Sequence, residues 1–455
     1  MKILKQRLRR RFNELQLRLD PISYIENVYH EHGGLVEWEY DNPATVLAVG
    51  HEHTKEVMSQ RVFHNQTLRG PEGSGLETLL NGLVFLNGAS HKKQRRLIAP
   101  SFHKEAVNSY FEHMRGISEY VVGTLPEDQF FDVVPRLTDY TFRVTLRCLF
   151  GIDDDFSELG EKINSWVKAL TNPLAYVLPF SVPGLPYRNL LKLSDELVAE
   201  TAVILESLRA NPDASGIMSA LMETRDEDGN QLSDEELIGH VNLIFLAGHE
   251  TTRNSLTFIL YLLAQHPNIA RRLRDEIIEA TSEGVTLENV VKIEQLNHVI
   301  WESLRLLPPT AWMDKYASED VEFAGKTYPQ GTMVILCHYL NHRNPEIYPD
   351  PNCFVPSRWA GSNPPPYSFV PFGGGFRMCI GSEFAMLEMR TLLTILLRDY
   401  SFVLQDQQLD RLIRATMRVK GPMMMRMSRT TDFNRAEITG HLGDMIDFQT
   451  AEPVT

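Results

Sequence analysis

Residues 372–381 read F-G-G-G-F-R-M-C-I-G, and this decapeptide is the strongest indication of the fold. Cys379 follows three glycines, with Arg377 two residues before it and Gly381 two residues after it. Glycine reaches positive φ and lets a backbone approach a flat ligand that a Cβ would exclude. A helix-like sequence follows over residues 382–397, and the free N–H groups at a helix N-terminus favour a thiolate. The pattern therefore predicts a thiolate ligand beside a flat cofactor.

The decapeptide resembles the haem-binding signature of the cytochrome P-450 family, F-x-x-G-x-R-x-C-x-G, and matches it at every fixed position. The resemblance implies a mainly α fold with a small β region, in which haem b (iron protoporphyrin IX) is held between a long central helix and the cysteine loop. It also implies that Cys379 is the axial ligand of the haem iron, since a thiolate ligand favours O–O cleavage. The other cofactor-binding residues that the signature implies are Phe372, Arg377 and Gly381.

A long helix is predicted over residues 233–265. Ser233 and Glu236 match the S-x-x-E capping box that opens a helix, and Pro267 ends it. Roughly 33 residues at about 1.5 Å each span about 50 Å, which is enough to cross a whole domain. Its centre, residues 247–252, reads A-G-H-E-T-T. A glycine, a carboxylate and two hydroxyls in an apolar helix lower its stability, so either a satisfied polar turn or a chemical role has to account for them.

This central hexapeptide resembles the oxygen-binding motif of the same family, A/G-G-x-D/E-T. The resemblance implies that Ala247 and Gly248 make room for O2 above the iron. It also implies catalytic roles for Glu250, which would feed protons inward, and for Thr251, which would order the proton-donating water. Thr252 could share the hydroxyl role, and the sequence leaves the choice between the two threonines open.

A carboxylate and a guanidinium share one face of a predicted helix at Glu302 and Arg305. Such pairs are common on surfaces, but Trp301 and Leu304 beside them favour burial, where further partners must offset desolvation. Arg358, in the later segment P-S-R, is a candidate partner. The pattern resembles the E-x-x-R helix and P-x-R segment of the family, which implies that the three charged residues form a structural network holding the cysteine loop.

Cationic side chains for the two haem propionates are predicted on residues 91–96. His91 and Arg95 lie four apart and can point one way from a helix. Their spacing resembles the family's H-x-x-x-R helix, and Arg377 is implied to join them, although a solvated basic helix is the alternative. Relatives place an arginine where Lys315 stands here. Lysine offers a carboxylate one point charge rather than the two parallel N–H donors of arginine. The sequence therefore leaves open whether Lys315 contacts a haem propionate.

A basic patch is predicted on another side of that helix, at Lys92, Lys93 and Arg96. It could dock an acidic electron donor or simply favour solubility, and both readings stay open. We expect the electrons to come from a separate protein, because these 455 residues show no flavin or iron–sulfur domain. We expect a donor of ferredoxin or flavodoxin type with its reductase.

Helical periodicity dominates the chain. Helices are predicted at residues 104–124, 158–170, 188–210, 233–265, 269–280, 295–306 and 381–398. Short strands are predicted at residues 45–49, 321–323 and 332–336. No linker divides the 455 residues, so we expect one domain over residues 1–429, a loosely held tail over residues 430–455, and a monomer.

Charge and cysteine usage exclude several function classes. A net charge of −14 argues against nucleic-acid binding. Four cysteines without a C-x-x-C pair argue against a zinc site or a disulfide framework, and they indicate a reducing compartment, the cytoplasm.

Residues 1–20 are basic and predict an amphipathic helix, either solvated or in peripheral contact with a membrane. No apolar run is long enough to span a bilayer, which resembles the soluble, bacterial type of the family.

The substrate is the least determined feature. Apolar residues at positions that line the pocket in relatives more often belong to ordinary core, but as a pocket they predict an apolar ligand such as a fatty acid, a terpenoid or a polyketide-like product. These residues are Leu80, Phe85, Phe245, Trp312 and Met417.

The function that these patterns favour is insertion of one oxygen atom of O2 into an apolar organic substrate. A haem-thiolate peroxygenase, isomerase or dehydratase is the alternative among enzymes, and the intact Glu250–Thr251 pair argues against it because such enzymes need no ordered proton relay. A haem protein that only binds gas is the alternative outside enzymes, and it would leave the acid and alcohol in the long helix unexplained.

Overall fold

The computed structural model describes Leu17 and residues 20–38, 43–151, 157–211, 216–413 and 416–429. The predicted N-terminal helix lies outside these residues apart from Leu17 and Asp20, and the predicted tail at residues 430–455 lies wholly outside them.

The described chain is mainly α-helical, as predicted. Its helices are α1 (Pro21–His32), α2 (His51–Ser59), α3 (Gly75–Leu79), α4 (Gly88–Ile98), α5 (Lys104–Ser109), α6 (Phe111–Gly123), α7 (Val133–Phe150), α8 (Ser157–Leu170), α9 (Pro173–Val177), α10 (Pro186–Ala210), α11 (Ile217–Glu223), α12 (Asp234–Gln265), α13 (Pro267–Ala280), α14 (Leu287–Lys292), α15 (Glu294–Leu306), α16 (His338–Asn341) and α17 (Ser382–Asp399).

The β region is small. Its strands are β1 (Leu35–Trp38), β2 (Thr45–Ala48), β3 (Phe63–His64), β4 (Phe130–Asp132), β5 (Met313–Ala317), β6 (Val321–Phe323), β7 (Lys326–Tyr328), β8 (Met333–Leu336), β9 (Ser401–Leu404), β10 (Asp410–Ile413), β11 (Met417–Lys420) and β12 (Met424–Ser428). The largest sheet has the order β1-β2-β8-β5-β3, and its β2–β8 pair is parallel. A three-stranded sheet, β4-β12-β9, and the pairs β10-β11 and β6-β7 complete the region.

The long helix α12 forms as the capping box predicts. Ser233 Oγ accepts from the backbone N–H of Glu236 at 3.2 Å, and the Glu236 carboxylate accepts from the N–H of Ser233 at 2.9 Å. Beyond its centre, residues 256–265 are all buried, so the helix runs through the hydrophobic core and packs on α7, α3 and α15.

Several helices lie outside the predicted ranges, and two of the differences have a clear physical cause. Residues 104–124, predicted as one helix, form α5 and α6, because the N–H of Tyr110 bonds to Val107 three residues back and tightens the turn between them. Helix α7 was not predicted, since its many β-branched and aromatic residues weaken helix propensity. Packing on α12 outweighs that preference. None of the described helices is both long and apolar enough to cross a bilayer.

Candidate active site

The cysteine loop is a closed turn in front of α17. The N–H of Cys379 donates to the carbonyl of Phe372 at 2.8 Å, and the N–H of Gly373 donates to Val370 at 2.9 Å. Helix α17 begins three residues after the cysteine, with Gly381 as its N-cap. The loop thus presents the exposed Cys379 beside a helix N-terminus.

The glycines of this loop allow its backbone to pack closely against other parts of the protein. Gly373 and Gly375 have φ angles of +70° and +62°. A Cβ on Gly375 would lie 2.2 Å from the carbonyl oxygen of Met58 in α2, and one on Gly374 would lie 2.7 Å from the Tyr367 ring. The expectation that glycines make room for a flat ligand is therefore wrong for these two positions, whose Cβ space is taken by protein atoms.

The protonation of Cys379 reflects opposing effects. The residue is solvent-exposed, yet protein atoms crowd its sulfur, and the desolvation raises the pKa of the thiol. The backbone N–H of Gly381 and the Arg95 guanidinium act the other way and do not overcome it. The helix end therefore favours the thiolate without producing it, and ligation to a metal, which deprotonates a thiol, has to supply the rest.

His91 and Arg95 of α4 lie close to Arg377 of the cysteine loop. Arg95 donates to the carbonyl of Met378 at 2.8 Å. Buried His91 has a pKa lowered to about 4, first by desolvation and then by Arg377 and Arg95. Desolvation and then Arg95 lower the pKa of Arg377 to about 10. The two arginine cations form a site for anions such as carboxylates, and His91, neutral near pH 7 with this pKa, lies beside them.

Lys315 belongs to the same cluster. Its side chain is 6% exposed on β5, and its Nζ donates to Asn65 Oδ1. Desolvation and then Arg377 lower its pKa to about 8. The lysine is thus placed among the predicted propionate partners, and its contact with haem stays a prediction.

These groups fit a haem. Within the described chain, Arg377 Nε is a buried donor with no acceptor, although the same guanidinium donates to the carbonyls of Leu83 and Leu86. Buried N–H donors are normally hydrogen-bonded, so this one indicates an acceptor that a ligand brings. A haem propionate oxygen would be such an acceptor. His91, Arg95 and Arg377 would hold the carboxylates and Cys379 the iron.

The two threonines at the centre of α12 have different surroundings. Thr251 Oγ1 donates to the carbonyl of Ala247 at 2.7 Å, and both residues line a cavity of about 530 Å³. Thr252 is buried on another side of the helix and contacts the Glu388 carboxyl. Gly248 faces α7, where a Cβ would lie 3.5 Å from Thr145 Oγ1. The structure thus places Thr251 and Ala247 at the cavity, and Thr252 and Gly248 away from it.

Glu250 also lines the cavity, and it is held by a neighbour on α12 and by two residues far along the chain. Thr416 Oγ1 donates to its Oε1 at 3.1 Å, Arg253 Nη2 lies 3.5 Å away and Arg418 Nη1 lies 3.7 Å away. Asn254 Nδ2 in turn donates to Thr416 Oγ1 at 3.3 Å. Sequence reasoning placed Thr416 in an expected pocket-lining segment, residues 415–417, but linked neither Thr416 nor Arg418 to Glu250, since no local pattern joins them to an acid on α12.

Glu388 is a second acid that sequence reasoning missed. It is fully buried in α17, and its desolvation raises the pKa of the carboxyl well above the ordinary value, with Thr252 as the opposing contact. Tyr140 of α7 donates to its backbone carbonyl at 2.9 Å. A glutamate between Leu387 and Met389 was the signal for a buried, neutral carboxylic acid.

The structure brings Glu302, Arg305 and Arg358 together. Arg305 donates to both carboxylate oxygens of Glu302, at 2.8 and 2.9 Å, and Arg358 Nε donates to one of them at 2.9 Å. The backbone N–H of Val355 and the indole of Trp359 each add a bond at 3.0 Å. Burial alone would raise the pKa of Glu302, but these donors outweigh it and hold the pKa below its ordinary value.

The two arginines also hold the chain that approaches the cysteine. Arg305 donates to the carbonyls of Pro351 at 2.7 Å and Cys353 at 3.0 Å, and Arg358 donates to that of Pro349 at 2.8 Å. One buried carboxylate thereby fixes the segment of residues 349–359.

The predicted substrate residues divide between cavity and core. Phe85 lines the cavity. Phe245 instead stacks on His249, with ring centroids 5.5 Å apart, and meets Phe142 edge-on at 5.2 Å. Leu80 and Met417 are buried in the hydrophobic core, and Trp312 packs partly buried against it. A role for these residues in substrate binding stays a prediction.

The basic patch lies where predicted on α4. Lys92, Lys93 and Arg96 are exposed, whereas His91 on the opposite side is buried. Arg96 pairs with Glu227 at 3.4 Å, a contact between two exposed side chains.

Comparisons with known proteins agree with this geometry. The family model described as Cytochrome P450 matches residues 5–427. Cyclooctat-9-en-7-ol 5-monooxygenase of Streptomyces melanosporofaciens is 29% identical over 388 residues, which are 81% of this chain and 82% of that protein. Putative cytochrome P450 120 of Synechocystis sp. is 30% identical over 357 residues, 76% of this chain and 79% of that one.

A solved structure, Retinoic acid bound cyanobacterial CYP120A1, matches with a TM-score of 0.80 and 25% identity, over 90% of this chain and 95% of its own. The chain therefore belongs to the cytochrome P450 family, whose haem b cofactor and oxygen-incorporating oxidoreductase activity it shares.

Proposed function

We propose that the chain inserts one oxygen atom of O2 into a neutral terpenoid with a hydrocarbon-rich skeleton. The observation that carries the proposal is the cavity of about 530 Å³, where apolar side chains meet the acid and alcohol of α12. Leu68, Phe85 and Leu246 supply apolar walls beside Glu250 and Thr251. Mostly apolar walls with few polar groups suit a ligand that is itself mostly hydrocarbon.

The charge of the cavity wall favours a neutral substrate over a fatty acid. Glu250 is the single ionisable side chain among the described residues that line it. An acid disfavours a second carboxylate nearby, and the two arginines close to Glu250 are already engaged with it. A terpene alcohol avoids this repulsion, and one named relative acts on cyclooctat-9-en-7-ol. The retinoic acid of the structural neighbour supports the apolar skeleton alone, since it carries a carboxylate.

The chain's own residues would supply binding and protons. Haem, when bound, supplies the oxygen activation and the electron transfer. Because the Thr251 hydroxyl donates to the carbonyl of Ala247, its oxygen stays free to accept from a water in the cavity. Glu250 would deliver protons to that water, with Thr416 orienting one carboxylate oxygen.

Electrons would arrive from an acidic donor of ferredoxin or flavodoxin type. Lys92, Lys93 and Arg96 form an exposed basic patch on α4, the helix that also bonds to the cysteine loop through Arg95. Opposite charge steers such encounters and aligns the partners.

Substrate titrations of the haem-loaded protein test the proposal. A shift of the Soret band reports displacement of iron-bound water, and we expect it with neutral terpene alcohols at lower concentrations than with retinoic acid or with a fatty acid of similar carbon number. Product formed with ferredoxin, reductase and NAD(P)H should carry one oxygen from O2. A preference for the fatty acid would contradict the neutral-substrate assignment. A reduced, CO-bound form without the red-shifted Soret band would refute Cys379 as the ligand.

A further inference from the structure

A short acidic segment lies against the basic patch of α4. Residues 226–230, between α11 and α12, read D-E-D-G-N, and we call them the acidic turn. Glu227 Oε1 lies 3.4 Å from Arg96 Nη1. The pKa of Asp226 is lowered first by a hydrogen bond from the asparagine of the turn and, among smaller causes, by the charge of Lys93. Two of the three cations of the patch therefore lie close to acids of the same chain.

Hydrogen bonds fix the backbone of the acidic turn. The N–H of Asp226 donates to the carbonyl of Asn230 at 2.9 Å. The Asp226 carboxylate accepts from the N–H groups of Asp228 at 3.0 Å and of Asn230 at 2.8 Å. The Glu227 side chain, by contrast, is 83% exposed. The backbone therefore keeps this carboxylate beside the patch, although the carboxylate itself can leave Arg96 without any unfolding.

The segment around the turn is tied to α4 and to α11. Gln94 of α4 donates to Glu236 Oε1 at 2.7 Å, in a partly buried contact. The other carboxylate oxygen of Glu236 accepts from the N–H of Ser233 in the capping box of α12. Gln231 donates to the carbonyl of Met222 at 2.9 Å. The position of the acidic turn relative to the basic patch is therefore set by the fold.

The contact with the patch is weak enough to be exchanged. Arg96 and Glu227 are 53% and 83% exposed, and an exposed ion pair of this kind changes an equilibrium by at most about fivefold. A carboxylate of another protein can therefore replace Glu227 at Arg96. Lys92, the third cation of the patch, is exposed and has no acidic partner among the described residues, which leaves it open for a first encounter.

We propose that the acidic turn is an intramolecular competitor for the basic patch. It occupies Lys93 and Arg96 in the free protein, and an acidic electron donor displaces Glu227 from Arg96 when it docks. This inference rests on the proposed docking of such a donor at α4. A competitor of this kind weakens the binding of every acidic protein, so a donor has to make further contacts in order to stay bound.

Binding of an oxidised, acidic [2Fe–2S] ferredoxin to the full-length, haem-loaded protein tests the competition, with isothermal titration calorimetry as the measurement. We expect Glu227→Gln to bind the ferredoxin about two- to fivefold more tightly at low salt, because it frees Arg96. The gain should vanish at roughly 1 M salt, where charges are screened over about 3 Å. Glu279→Gln makes the same charge change at an exposed position of α13 and should leave the affinity unchanged.

A second substitution separates competition from general repulsion. Arg96→Gln should weaken binding, because it removes a cation of the patch. If Glu227 acts by occupying Arg96, the gain from Glu227→Gln should fall to less than half when Arg96 is already replaced. An equal gain with and without Arg96 would show that Glu227 only repels the donor, and it would overturn the inference.

The remaining outcomes also decide between the two proposals. Unchanged affinity in Glu227→Gln, or an equal gain in Glu279→Gln, would overturn the competition. If Arg96→Gln and Lys92→Glu bind more weakly while Glu227→Gln shows no gain, the donor site at α4 stands and the competition alone fails. If none of these variants changes the affinity, the donor site at α4 fails as well. The reduced, CO-bound spectrum confirms that each variant is folded and holds haem.

Discussion

Two regions of this P450 each place a glutamate between two arginines, and they use it differently. In α15, Glu302 is fully buried and accepts five hydrogen bonds of 2.8 to 3.0 Å. In α12, Glu250 has a side chain 19% exposed, with Arg253 and Arg418 at 3.5 and 3.7 Å. The comparison indicates that burial and bond length, rather than residue type, separate a structural carboxylate from the one proposed to deliver protons.

The strongest test of this contrast is Glu302→Ala. It would leave the buried Arg305 without its counter-charge, and we expect a loss of about 3–5 kcal/mol in the free energy of unfolding. Urea unfolding, followed by the haem spectrum, measures it. Glu250→Ala should keep most of the stability and lose productive turnover instead. Similar stability losses in the two variants would remove the distinction between the regions.

Thr251→Ala and Thr252→Ala sharpen the contrast within one turn of α12. Thr251 faces the cavity and Thr252 faces Glu388. We expect Thr251→Ala to lower the yield of product per NAD(P)H by roughly a factor of ten, as loss of a proton-donating group does, and Thr252→Ala to leave that yield within about twofold. Product and NAD(P)H measured together give the ratio. Equal coupling in both variants would contradict the assignment of the hydroxyl role to Thr251.

Glu388→Gln extends the comparison to a buried acid without an arginine. Because the folded pKa is raised above the ordinary 4.5, the folded state holds its proton where the unfolded chain has lost it, so this group lowers stability as pH rises above 4.5. We therefore expect Glu388→Gln to be more stable than the unchanged protein at pH 7, with the gain vanishing below pH 4.5. Thermal melts across pH test this, and Glu383→Gln, exposed in the same helix, should show no such trend.

The smallest expected effect belongs to the exposed basic patch. Lys92→Glu should slow reduction by an acidic ferredoxin severalfold at low salt and much less at high salt, because rim charges act mainly on the association rate. Stopped-flow reduction in the presence of CO measures the rate. Lys420→Glu makes the same charge change on β11 and should have little effect. Equal slowing in both variants would indicate bulk charge rather than docking at α4.

Local spacing explains what the sequence predicted well. The fold, the family and the gathering of Glu302 with Arg305 follow from patterns within one helix or loop. Arg358 lies 56 residues from Glu302, and only the family resemblance related the two. Thr416 lies 166 residues from Glu250, and the family resemblance placed its segment at the pocket without predicting the hydrogen bond between the two.

Other differences arise from packing. Helix α7 overrides the weak helix propensity of its residues by packing on α12. Phe245 was predicted at the substrate pocket because of its place on the long helix, but its ring stacks on His249. Side-chain direction on a buried helix depends on neighbours that periodicity alone does not reveal.

The close approach of Gly375 to Met58 has a consequence for engineering. A residue with a Cβ at this position would overlap the carbonyl oxygen of α2, and Gly374 faces the Tyr367 ring in the same way. The haem-binding loop is therefore not an independent cassette. A chimera that exchanges residues 372–381 with another P450 needs the matching α2 and Tyr367 surface from the same parent, or its cysteine will be displaced.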